Sequence, residues 1–184
     1  MDRSYLTRRS VLKRFAAIGI GAALAPFGAG AAGQTMRHRV IPTTGEALPV
    51  IGMGSWQTFD VGANAERRAT RVAVLDAFFQ HGGGMIDSSP MYGSSEAVIG
   101  HCLRELVKRR PDIPERLFSA TKVWTPGQAA GIEQMARSEA LWDLDRFDLL
   151  QIHNLVDWQA HLETLLQWKA EGRVRYVGIT TSHG

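Results

Sequence analysis

From Arg67 to Phe79 the apolar residues Val72, Leu75, Phe78 and Phe79 recur at the spacing of one helix face, and Gly82-Gly83-Gly84 ends the run. A second helical pattern covers Ser95 to Val107, with Val98, Ile99, Leu103 and Leu106 on one face, before Pro111 and Pro114 break it. Residues 128–144 and His161 to Glu171 read as two further helices, the last stopped by Gly172. Short apolar runs lie between these helices: Met85 to Ser89, Leu117 to Val123, Phe147 to His153 and Arg175 to Thr181, each the length of a strand. Upstream, Arg39-Val40-Ile41-Pro42 and Leu48-Pro49-Val50-Ile51 flank Thr43-Thr44-Gly45-Glu46. They predict a hairpin leading into a strand that ends near Gly52-Met53-Gly54-Ser55-Trp56.

Strand and helix therefore alternate five times. A helix between successive strands demands parallel pairing and right-handed crossovers. A (β/α) barrel and a doubly wound open sheet both satisfy this pattern, and periodicity does not separate them. At 184 residues the chain is shorter than the ~200 that a complete eightfold barrel needs.

The basic balance comes from one segment. Residues 1–31 carry Arg3, Arg8, Arg9, Lys13 and Arg14 against Asp2, a net +4, while the whole chain is +3, so residues 32–184 sum to −1. Nucleic-acid binding has no electrostatic support there. Thr7-Arg8-Arg9-Ser10-Val11-Leu12-Lys13 followed by the Gly/Ala-rich run Phe15 to Gly33 reads as a signal peptide over residues 1–33, with the folded domain over 34–184. The Arg8-Arg9 pair resembles the twin-arginine export signal, with Val11 where that pattern favours Phe. Export to the periplasm by the twin-arginine machinery is expected, with cleavage after Ala31 of Ala29-Gly30-Ala31. Pro26 and the many glycines weigh against a stable membrane span. Cys102, the only cysteine, falls on the apolar side of a helix and reads as a core residue.

Three ionisable residues fall at the C-terminal ends of consecutive predicted strands: Asp87, Lys122 and His153, with Tyr92 in the loop after the first. In a parallel barrel such ends converge on one mouth, where the chemistry is found. Together the four make a proton-donating device. A phenol is a weak acid, with a pKa of about 10, and an ammonium beside it stabilises its anion. On this reading Asp87 pairs with Lys122, and His153 donates to a carbonyl or shares the proton of Tyr92.

Met85-Ile86-Asp87-Ser88-Ser89-Pro90-Met91-Tyr92-Gly93-Ser94-Ser95-Glu96 resembles the aldo-keto reductase signature, an Asp and a Tyr five apart followed by Gly and Glu. Ala120-Thr121-Lys122 and Leu149-Leu150-Gln151-Ile152-His153 are similar to that family's lysine and histidine segments, and Gly52-Met53-Gly54-Ser55-Trp56 to its opening strand. The resemblance covers roughly residues 38–184. It implies a (β/α)8 TIM-barrel family fold, here with about the first five βα units behind an N-terminal hairpin. It also implies hydride transfer between NADPH/NADP and a small-molecule carbonyl substrate. Asp87, Tyr92, Lys122 and His153 would be the catalytic tetrad, with Tyr92 the general acid. Gly54, Trp56 and Asp87 would lie near the cofactor, and Thr180-Thr181 would match the Ser-Asn pair that holds the nicotinamide carboxamide. Thr181 departs from that pattern, offering one donor where an amide offers two.

The family has eight strands, and its adenosine-phosphate anchors lie in the last units. The chain is therefore expected to be a fragment or the product of a truncated reading frame, which aggregates or binds NADPH very weakly by itself. Two other functions compete: a non-catalytic, cofactor-binding regulatory subunit of the same fold, and a barrel lyase or isomerase in which Lys122 forms a Schiff base.

Overall fold

The computed structural model describes residues 36–182. The signal peptide assigned to residues 1–33 and its cleavage after Ala31 lie outside the described residues.

Strands β1 (His38–Val40) and β2 (Ala47–Pro49) form the antiparallel hairpin. Then follow β3 (Gly52–Gly54), α1 (Ala65–Gln80), β4 (Met85–Asp87), α2 (Ser95–Val107), the single turn α3 (Ile113–Arg116), β5 (Phe118–Val123), α4 (Gln128–Trp142), β6 (Phe147–His153), α5 (Trp158–Ala170) and β7 (Val174–Thr180). Helix α3 was not foreseen. Pro114 sits in its first turn, where proline costs no hydrogen bond, so it opens a helix as well as closing the preceding stretch. Helix α5 begins three residues before its predicted start because Asp157, at φ 43°, turns the chain directly into it. Helix α4 ends two residues early, on Asp143 in the left-handed region at φ 60°.

The five parallel strands lie in the order β3-β4-β5-β6-β7. This decides what periodicity left open. A doubly wound sheet must reverse its strand order part-way, whereas here every crossover steps in the same direction. Right-handed crossovers that always advance one strand keep all their helices on one face, as in a barrel wall.

The core lies between that helical layer and the sheet. Val72, Leu75 and Phe79 of α1, Val98, Ile99, Cys102 and Leu106 of α2, Met135 and Trp142 of α4 and Leu165 of α5 pack against Ile86, Val123, Leu150 and Ile152 of the strands. The hairpin is tied to the N-terminal part of β7. Thr44 Oγ1 lies 2.9 Å from the Tyr176 hydroxyl, and Glu46 Oε2 accepts from Arg175 and Tyr176, each at 2.5 Å. No helix among the described residues is long and apolar enough to cross a membrane.

Candidate active site

Asp87 is the last residue of β4 and Lys122 the last but one of β5, so parallel pairing brings both to the same end of the sheet. Lys122 Nζ donates to Asp87 Oδ2 at 2.6 Å and to the Ser88 carbonyl at 2.7 Å. Only 4% of Lys122 is exposed, and an ammonium this dry depends on such partners. Its nitrogen lies 5.2 Å from the ring centre of Tyr92. Three of the four predicted catalytic residues are thus in one cluster. A Schiff base on Lys122 would have to give up its contacts with the Asp87 carboxylate and the Ser88 carbonyl.

The loop carrying Tyr92 is braced from several sides. The Tyr92 N–H donates to the Ser89 carbonyl at 3.0 Å, and Ser95 N–H to the Tyr92 carbonyl at 3.1 Å. Gly93 turns the chain at φ 59°, and a β-carbon there would collide with the Asp60 carboxylate. Asp60 Oδ1 accepts from the backbone N–H and the hydroxyl of Ser94, at 2.9 and 2.7 Å. The Ser94 N–H holds the Asp60 carboxyl below the usual aspartate range. Beneath the loop, the buried Ser55 hydroxyl donates to Ser88 Oγ at 2.8 Å, and Ser55 N–H donates to the Asp87 carbonyl.

His153 ends β6 and faces β7. Its Nδ1 lies 2.5 Å from Thr180 Oγ1, and its Nε2 is 3.3 Å from Asn154 Nδ2. Asn154 Nδ2, a donor, is within reach of Nε2, and the Thr180 hydroxyl can either donate to Nδ1 or accept from it. Asn154 and Leu155 both adopt left-handed backbone, at φ 52° and 55°, and Asn154 Oδ1 accepts from Ser182 N–H at 2.9 Å. Thr180 is therefore engaged by His153, while Thr181 lies just beyond β7 and is exposed. Gly54 ends β3 directly opposite Asp87, and Trp56, 65% exposed, follows it at the same end of the sheet.

Two residues at this end were not singled out from sequence. Gln151 Nε2 donates to Asp87 Oδ1 at 3.1 Å. Its signal was a polar residue two places before His153 within an apolar strand. Trp124, two residues after Lys122, sets its ring edge-on to His153 with centres 6.4 Å apart. Gln134 brackets the Trp124 backbone, accepting from its N–H at 2.7 Å and donating to its carbonyl at 3.2 Å.

The model of the aldo/keto reductase family matches residues 50–183. The chain belongs to the aldo/keto reductase family. Among curated members it is similar to methylglyoxal reductase YeaE of Escherichia coli, 30% identical over 155 residues, covering 79% of this chain and 50% of that protein. Aldo-keto reductase family 1 member A1 of Mus musculus is 29% identical over 141 residues, covering 74% and 40%. Among solved structures, an aldo-keto reductase from Klebsiella pneumoniae in complex with NADPH aligns with a TM-score of 0.64 and 28% identity, over 78% of this chain and 50% of that one. An aldo/keto reductase from the same organism, in complex with NADP and acetate, aligns at 0.61 with 29% identity, over 73% and 46%. The chain spans about half the length of the relatives it matches.

Proposed function

We propose that this chain carries the proton-donating site of an NADP(H)-dependent carbonyl reductase, with Tyr92 as general acid. The observation that supports it is the buried Lys122 ammonium, 2.6 Å from Asp87 Oδ2 and 5.2 Å from the Tyr92 ring centre. When bound, the nicotinamide cofactor supplies a hydride to the carbonyl carbon of an aldehyde or ketone. The electron pair left on the substrate oxygen then takes the hydroxyl proton of Tyr92. Lys122 stabilises the charge that remains on the phenol oxygen, and Asp87 keeps Lys122 turned toward it.

The residues at this end of the sheet suit a nicotinamide. Trp56 offers an exposed aromatic face beside Gly54, and Thr181 an exposed hydroxyl beyond β7. For His153 to donate to the substrate oxygen, its proton must sit on Nε2. Thr180 would then donate to Nδ1, and Asn154 Nδ2 would turn away. The complexes of related proteins with NADPH and with NADP and acetate support the cofactor assignment. The methylglyoxal reductase relative suggests a small dicarbonyl as the first substrate to try.

The test is NADPH oxidation by the purified chain with methylglyoxal and a simple aldehyde, at high cofactor concentration. Tyr92→Phe should cut turnover about 10²–10⁴-fold while NADPH binding persists. Equal rates in parent and variant would remove Tyr92 from the mechanism, and a parent that is shown to bind NADPH yet turns over neither substrate would remove the activity.

We also propose that the chain is exported by the twin-arginine machinery, on the strength of Arg8-Arg9 and the apolar run that follows. Replacing both arginines by lysine should retain the protein inside the cell, and fractionation of the producing cells reads this directly. Unchanged export of the double-lysine form would exclude the route.

A further inference from the structure

Asp87 has two carboxylate oxygens, and the ion pair with Lys122 uses one of them. The side chain is about a third exposed, so nothing in the pair itself stops the carboxylate from turning its second oxygen, and then its first, toward water. That second oxygen, Oδ1, receives the side-chain amide of Gln151 at 3.1 Å. Gln151 stands directly across from Lys122 in the β5–β6 ladder, and Gly178 stands across from Gln151 in the β6–β7 ladder. A β-carbon on Gly178 would press on Gln151 Cγ at 3.4 Å and Leu149 Cδ1 at 3.3 Å. The bare backbone there leaves the glutamine chain room to lie along the sheet.

The residue type matters. Lysine or arginine at position 151 would compete with Lys122 for the same carboxylate. Leucine would leave Oδ1 to solvent, and an acid would repel it. A neutral amide donates to Oδ1 without adding charge. We infer that Gln151 is a positioning residue of this site: its amide fixes Asp87 Oδ1 so that Oδ2 stays on Lys122 and Lys122 stays under Tyr92. The inference rests on the carbonyl-reductase reading of the site and adds to it a residue that acts through Asp87.

Two measurements on the full chain test it. In nitrogen-15 NMR spectra, the Gln151 side-chain amide signal is identified by its loss in Gln151→Leu. It should move in Asp87→Asn, and an amide indifferent to that change overturns the proposal. In turnover assays Gln151→Leu should lower kcat about tenfold, with KM for NADPH and aldehyde nearly unchanged. Gln151→Glu should be slow at neutral pH and recover as the pH falls, because a protonated carboxyl donates to Asp87 as the amide does. An unchanged kcat in the leucine variant, or a glutamate variant whose pH profile runs parallel to the parent's, overturns the proposal. A parent chain that binds NADPH without turning over aldehyde defeats the reductase reading instead, and the amide's response to Asp87→Asn then decides the role of Gln151.

Discussion

Glu96 and Lys122 are both charged residues within the family motifs and both are buried, yet they serve different purposes. Lys122 is matched by a carboxylate. Glu96 is matched by three neutral donors: Thr121 Oγ1 at 2.7 Å, Ser138 Oγ at 2.9 Å and Trp142 Nε1 at 3.3 Å. These bonds join α2, β5 and α4 behind the site. Burial lifts the Glu96 carboxyl above the usual glutamate range, even against those donors and the field of Lys122. A native group with a raised pKa binds its proton more tightly than the unfolded chain does. Its stabilising contribution is therefore complete below about pH 4.3 and is lost as the pH rises through the native value. Glu96→Gln should remove that decline, so that the variant gains on the parent in urea midpoint as pH is raised from acid toward neutral. A constant difference between the two across that range would show that Glu96 titrates alike folded and unfolded.

At the scale of elements, the contact between α2 and α4 depends on one absent side chain. A β-carbon on Gly100 would overlap the carbonyl oxygen of Leu141, which belongs to the backbone and cannot step aside. Gly100→Ala should therefore force the two helices apart and cost about 1–3 kcal/mol or more, read as a lower urea midpoint with an unchanged slope. An alanine variant as stable as the parent would mean that the helices are less closely packed than described. On the same helix, burial raises the Cys102 thiol to about 11, in keeping with a core residue and not a reactive thiol. Helix boundaries were the least legible feature of the sequence. Asp143 and Asp157 take left-handed conformations that glycine or asparagine would have announced and aspartate does not.

At the scale of the molecule, the hairpin is held by Glu46, which accepts from Arg175 and Tyr176, while Arg175 also donates to Asp148 Oδ1 at 2.6 Å. The hydrogen bond from Arg175 keeps the Glu46 carboxyl below the usual glutamate range. A lowered native pKa contributes stability above the unfolded value and loses it as pH falls. Glu46→Gln should cost about 1 kcal/mol at neutral pH, or a melting point about 2–4 °C lower, with the gap closing in acid. A gap that stays open at low pH would mean that the carboxylate's charge is not what holds the hairpin.

Local order was legible because apolar spacing and turn residues act within a few positions of one another. The alternation of strands and helices, the apolar faces of α1 and α2, and the placing of Asp87, Lys122 and His153 at strand ends could all be read along the chain. So could the family motif around Tyr92. What the chain could not disclose depended on neighbours distant in sequence. The sequential order of five strands separates a barrel wall from a doubly wound sheet, and it exists only once the crossovers are laid down. The amide of Gln151 reaches Asp87 across 64 positions, and Thr180 takes up His153 across 27. Propensity and periodicity carry no information about such pairs, because the register of adjacent strands is what creates them.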